Sequence, residues 1–124
     1  MKKTVLVVDD EQGFRDLFTY LLEPMGLEVT CVGNGKEAVE RVQEKAYDLI
    51  LMDVHMPEMG GVEALKKMKS IRPEQKVAIF SSGSDPSYLL EKEALKNGAL
   101  EYLLKPVELV DIERILTKTL GSLK

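Results

Sequence analysis

The feature that most constrains this chain is an alternation, repeated five times, between a short β-branched or aliphatic run and a longer segment with helical spacing. Thr4-Val5-Leu6-Val7-Val8 is apolar without a period, as suits a strand buried on both faces, and it stops at Asp9-Asp10. From Glu11 to about Glu23, the residues Phe14, Leu17, Phe18, Leu21 and Leu22 draw one apolar helix face, which Pro24 and Gly26 close. Glu28 to Val32 reads as a second strand, and after the turn Gly33-Asn34-Gly35 a second helix is marked by Ala38, Val39 and Val42. Leu49 to Met52 is a third buried strand ending at Asp53; Val62, Leu65 and Met68 then line a helix over Val62 to Ser70 that Pro73 closes. Val77 to Phe80 is a fourth strand. Asp85-Pro86 predicts the next helix start, with an N-cap acceptor and a proline whose missing N–H is harmless at the first helical position, and Gly98 predicts its end. Tyr102-Leu103-Leu104 is a short fifth strand before Lys105-Pro106, and Leu109, Ile112, Ile115 and Leu116 give a last amphipathic helix. Such alternation predicts an α/β, doubly wound fold: a parallel sheet with helices on both faces and its ligand site at the carboxyl ends of the strands.

Length and composition narrow the class. The 124 residues predict one domain spanning 1–124, and 44% hydrophobic with 31% charged residues suits a globular chain with a real core. No apolar run is long enough for a bilayer, and Met1-Lys2-Lys3-Thr4 lacks the pattern of a signal peptide, so no membrane insertion and a cytoplasmic location are expected. The lone cysteine, Cys31, rules out an internal disulfide and reads as a small apolar strand residue. A net charge of -4 argues against a binder of phosphate backbones, so direct contact with nucleic acid is not expected.

Chemistry gathers where the strands end. Asp9 and Asp10 follow the first, Asp53 the third, Ser81 and Ser82 the fourth and Lys105 the fifth. Any one polar strand end has a bland explanation, because every strand must leave the core. Together, three carboxylates, two hydroxyls and one ammonium converge on one edge of a parallel sheet. Crowded carboxylates repel one another and favour a hard divalent cation bound through oxygen, magnesium first and manganese second. With such a cation, one acid can act as a nucleophile and form an aspartyl phosphate, with Lys105 pairing the phosphoryl charge and Ser81 donating a hydrogen bond to it.

These residues resemble a known family along essentially the whole chain. Asp9-Asp10, the run Asp53, Val54, His55, Met56, Pro57 with Gly61, then Ser81, and Lys105-Pro106 preceded by Ala99 and Tyr102, are together similar to the response-regulator receiver domain, in particular its single-domain, chemotaxis-regulator-like form. The resemblance implies a flavodoxin-like (βα)5 sheet of order 2-1-3-4-5. It implies Asp53 as phosphoacceptor, Asp10 as direct metal ligand, Asp9 as a metal partner largely through water, and the backbone carbonyl of His55 as the third protein ligand. Ser81 takes the place of the switch hydroxyl, Tyr102 that of the aromatic that moves inward behind it, and Lys105 that of the phosphate-pairing lysine. The peptide before Pro106 is typically cis in this family.

The same resemblance implies a bacterial two-component phosphorelay: a signalling switch that is not an enzyme, loaded by a sensor histidine kinase or phosphotransfer protein. Magnesium-dependent self-phosphorylation from small donors and self-dephosphorylation accompany it. Output runs through a downstream protein partner, docked on the face of the fourth helix, fifth strand and fifth helix.

Some positions depart from the pattern. His55 is the only histidine, so its side chain is a poor metal ligand and is expected to border the site. Gly60 stands where the family often has an acid, which makes the loop before Gly61 more permissive. Ser82 and Gly83 leave the site more open to water. Met52 and Met68 read as core, Met56 and Met59 as core or partner surface. The alternative function is a receiver-like interaction module that is never phosphorylated; the retained acids, hydroxyl and lysine speak against it. A haloacid-dehalogenase-like phosphotransferase would carry a second aspartate where His55 stands, and a flavin or nucleotide site after the first strand would be repelled by Asp9-Asp10-Glu11.

Overall fold

The computed structural model describes residues 2–56, 58–82 and 88–121. Strands and helices alternate: β1 (Thr4–Val8), α1 (Gln12–Leu22), β2 (Glu28–Val32), α2 (Gly35–Glu44), β3 (Leu49–Asp53), α3 (Gly61–Ile71), β4 (Val77–Ser82), α4 (Tyr88–Lys96), β5 (Glu101–Lys105) and α5 (Leu109–Leu120). The strands form one parallel sheet of order β2-β1-β3-β4-β5. The inner strands are apolar through their middles because both sheet faces are covered, and β3 is buried along its whole length, its polar Asp53 included.

Two apolar layers sandwich the sheet. One face carries Val5, Val7, Leu49, Leu51, Ala78 and Phe80 against α1 and α5, through Phe18, Leu22, Ile112, Ile115 and Leu116. The other carries Leu6, Val8, Ile50, Met52 and Ile79 against α2, α3 and α4, through Ala38, Val42, Leu65, Met68 and Ala94. Alternate residues of each strand serve alternate faces, as the two-residue period requires. Met52 and Met68 are fully buried, and Met56 and Met59 pack partly buried against the second layer, so all four contribute to packing.

Local chemistry explains the helix boundaries. Asn34 caps α2 by accepting the Glu37 N–H at 2.8 Å. α1 tightens into a 3-10 turn at Glu23–Met25 and stops at Gly26, whose φ of +84° suits glycine; Gly98 does the same after α4 at +98°. The helix start expected at Asp85-Pro86 lies outside the described residues.

Three expectations need correction. Leu17 and Leu109, assigned to apolar helix faces, are 48% and 46% exposed, because each lies at the margin of its stripe. β4 continues through Ser81 and Ser82, which pair with Leu104 and Lys105, so these serines complete the strand instead of following it. β5 likewise runs from Glu101 to Lys105.

One glycine is dictated by close approach. A Cβ on Gly61 would lie 2.6 Å from the Asp53 carbonyl oxygen and 2.7 Å from the Val54 Cα, where α3 starts against the end of β3. Gly61→Ala is expected to destabilise the fold by about 1–3 kcal/mol through backbone displacement. Urea unfolding checks this; an unchanged midpoint would mean that the 54–60 loop yields freely.

Candidate functional site

The carboxyl edge of the sheet assembles the acids. β1 delivers Asp9, whose backbone N–H bonds the Val32 carbonyl at 3.2 Å, and the chain then turns outward through Asp10 into α1. Asp9 is 1% exposed and Asp53, the last residue of β3, is 5% exposed, whereas Asp10 is open to solvent. An oxygen from each of the three carboxylates lies within 4.8 Å of the others. Lys105, the last residue of β5, reaches across with Nζ 3.0 Å from an Asp9 oxygen and 3.5 Å from an Asp53 oxygen. The Lys105–Pro106 peptide is cis, as the resemblance implied.

Each group is held by its surroundings. The remaining Asp9 oxygen accepts the Glu11 N–H at 2.9 Å, and an Asp53 oxygen accepts the His55 N–H at 3.3 Å. Burial raises the Asp53 pKa, Lys105 pulls it down, and the Asp9 charge pushes it up again; the outcome is above the ordinary aspartate value. Burial alone would lower Lys105, but its bond to Asp9 and the charge of Asp53 outweigh that and hold it above the ordinary lysine value. Asp53 is therefore a carboxylate whose charge the fold disfavours and an incoming cation would relieve. The crowding falls on Asp9 and Asp53, with Lys105 between them.

The donor set fits a hard divalent ion: three carboxylates, two buried and one facing solvent, offering only oxygen. Asp9, Asp10, Asp53 and Lys105 are thus brought together. The His55 backbone lies beside Asp53 while its side chain is exposed. Ser81 is fully buried at the same edge, one residue past Phe80, which pairs in register with Asp53. Tyr102 is half-buried on the edge strand β5, packed against the layer under α2, α3 and α4, with its backbone opposite Ile79.

Two residues of α1 belong to this neighbourhood although sequence reading gave them no role there. Arg15 donates from its guanidinium to the Asp9 carbonyl at 2.6 Å, and Lys105 Nζ lies 4.0 Å from the centre of the Phe14 ring. The available signal was positional: a helix that begins directly after Asp10 turns part of its first two turns toward the strand ends.

A doubly wound parallel sheet with acids and a lysine gathered at its carboxyl edge defines an α/β protein whose site lies where ligands of such sheets bind. A family model for the response regulator receiver domain matches residues 5–117, and the chain belongs to that family, the receivers of two-component systems. Among curated relatives, it is 39% identical over 117 residues to the transcriptional regulatory protein ZraR of Klebsiella oxytoca, covering 94% of this chain and 26% of that one. The chain thus spans about a quarter of the length of the transcriptional regulators it matches. It is 34% identical to the chemotaxis protein CheY of Thermotoga maritima, covering 95% of this chain and 98% of that one.

Solved structures agree. A CheY-like receiver domain protein from Methanospirillum hungatei superposes with a TM-score of 0.91 at 28% identity, covering 99% and 97% of the two chains. The receiver domain of a Pseudomonas aeruginosa sensor histidine kinase, solved with magnesium coordinated in its active-site cleft, gives 0.82 at 27% identity over 98% and 100%. A Burkholderia pseudomallei response regulator with a phosphorylated aspartic acid, calcium ion and citrate gives 0.81 at 25% identity, over 95% of this chain and 66% of that one. Among the described residues no helix is long and apolar enough to cross a membrane.

Proposed function

We propose that this chain is a phosphoacceptor switch in which Asp53 takes a phosphoryl group from a sensor histidine kinase or phosphotransfer protein and the altered site changes a partner-binding face. The observation that carries this reading is the Lys105 ammonium shared between Asp9 and Asp53 at 3.0 and 3.5 Å, beside the solvent-facing Asp10. One Asp53 carboxylate oxygen attacks phosphorus, and the bond from phosphorus to the phosphohistidine nitrogen, or to the acetate oxygen of acetyl phosphate, breaks with its electron pair leaving on that atom. Asp9, Asp10, Asp53 and the backbone carbonyl of His55 would hold magnesium or manganese, which supplies charge neutralisation for the transferring group. Lys105 turns its charge to the phosphoryl oxygens, and the Ser81 hydroxyl donates to one of them. Water attack on the same phosphorus returns inorganic phosphate and the free carboxylate, so the switch resets itself.

The output would pass through Ser81 and Tyr102 to the face of α4, β5 and α5. Those three elements expose Leu95, Leu104, Leu109 and Val110, of which Leu104 and Val110 are 60% and 64% exposed. A protein partner in the cytoplasm suits it better than nucleic acid, given the acidic net charge of -4. We read residues 1–124 as one receiver domain.

Intact mass after incubation with acetyl phosphate tests the assignment. The wild type is expected to gain one phosphoryl group only with magnesium present, and Asp53→Asn none under any condition. A wild type that takes no adduct from acetyl phosphate or from phosphorylated kinases would leave the interaction module that is never phosphorylated as the better reading.

A further inference from the structure

A lysine ammonium on a flexible four-carbon stem needs something to fix it between two acids. Lys105 Nζ contacts Asp9 and Asp53, and it also lies over the ring of Phe14, 4.0 Å from its centroid. The ring face is the negative side of the aromatic quadrupole, so it attracts the ammonium without competing as a proton acceptor. Phe14 is itself fixed. It sits in the first turn of α1 with its N–H on the Glu11 carbonyl at 3.2 Å, and it packs edge-on against Phe18, centroids 4.9 Å apart at 61°. Phe18 in turn stacks on Phe80 at 5.5 Å and 9°, and both are 1% exposed. An aliphatic residue would complete the same apolar helix face, so packing of α1 alone does not call for a ring at this position.

We propose that Phe14 is a positioning residue for Lys105: its ring holds the ammonium over the Asp9 and Asp53 carboxylates, where the phosphoryl oxygens arrive. The proposal rests on the phosphoacceptor reading of the site. Once a phosphoryl group is joined to Asp53, the ammonium must turn from a carboxylate toward new oxygens. A ring face permits that turn, because its attraction does not depend on the direction of a single N–H bond. A hydrogen-bonding anchor would resist it.

The test uses the whole chain with acetyl phosphate and magnesium, following the rate of the mass adduct. Phe14→Leu is expected to slow adduct formation by roughly five- to tenfold, as loss of one desolvated cation–π contact implies, and Phe14→Tyr to stay near the wild-type rate. Para-fluoro and trifluoro phenylalanine introduced at position 14 keep the ring's shape while withdrawing its electron density, and the rate should fall stepwise along that series. A separate readout needs no phosphodonor: the ε-methylene protons of Lys105 should be shifted upfield in NMR spectra by the Phe14 ring current, and Phe14→Leu should abolish the shift. A wild-type rate in Phe14→Leu, a flat fluorine series, or unshifted Lys105 protons in the wild type would overturn the proposal. No adduct on the wild type from acetyl phosphate or from phosphorylated kinases would instead overturn the phosphoacceptor reading and this role with it, while the ring-current shift would still report the contact.

Discussion

Replacing Lys105 by alanine is expected to lower the stability of the metal-free protein by about 2–4 kcal/mol, the range for stripping one partner from a mostly buried ion pair with some allowance for residual solvent. The side chains involved are 15%, 2% and 7% exposed for Lys105, Asp9 and Asp53, so the two acids would be left facing each other with little water to screen them. The sign with pH follows from Asp53. Its folded-state pKa already lies above the ordinary value through burial and the Asp9 charge, against which Lys105 acts, so removing Lys105 moves it further upward. A carboxylate with a raised folded pKa subtracts stability above that pKa, and the penalty is relieved as the pH falls through it, because the folded state then binds the proton first. The deficit of Lys105→Ala should therefore be largest near neutral pH and shrink as the pH falls through the raised folded pKa of Asp53. Added magnesium should recover part of it by supplying the missing positive charge. Urea unfolding in a chelator at two pH values, then with magnesium, checks all three. A deficit independent of pH and metal would assign Lys105 to packing alone.

The same three residues mark how far sequence carries. Asp9, Asp53 and Lys105 were legible as a group because each ends an apolar run, and parallel strands put such ends on one edge. Their pairing was not legible: that Lys105 divides itself between Asp9 and Asp53, leaving Asp10 in solvent, depends on side-chain depths that a linear pattern does not encode. Repulsion expected of all three acids is accordingly concentrated on the buried two. The strand order came from the family resemblance, since alternation of strands and helices fixes a parallel sheet and not its sequence of neighbours.

Strand ends were misjudged where polarity and pairing disagree. Ser81 and Ser82 look like loop residues, yet their backbones pair with Leu104 and Lys105, and a backbone ladder is indifferent to side-chain polarity. Gln75 gives the converse lesson. It reads as an ordinary polar loop residue, but it is 3% exposed because its amide accepts the Tyr47 N–H at 2.9 Å and donates to the Tyr47 carbonyl at 2.7 Å, fixing the approach to β3. Phe14 carries the strongest form of the limit, since its neighbour Lys105 comes from a distant strand brought close only by the finished fold.

Phe80→Ala should cost about 3–5 kcal/mol, the usual span for deleting a buried aromatic ring, and should also slow loading of the site. Phe80 is 1% exposed in β4 and stacks on Phe18 with centroids 5.5 Å apart, so its loss opens a cavity directly beneath α1. Its backbone is part of the site's frame: it pairs in register with Asp53, and its carbonyl accepts the Val54 N–H at 2.8 Å. A cavity there lets Phe18 relax toward β4 and takes away the surface against which Phe14 is braced, so Lys105 loses definition even in molecules that remain folded. Leu116→Ala is the matched control, a fully buried residue in the same apolar layer at the α5 side of the sheet. It should lower stability by about 2–5 kcal/mol without the specific drop in adduct rate, once both variants are compared at a temperature where each is folded. Should Phe80→Ala not fold, Phe80→Leu leaves a smaller cavity and the same geometric question. Equal adduct rates in Phe80→Leu, Leu116→Ala and the wild type would mean that the aromatic column supports the fold but not the chemistry at Asp53.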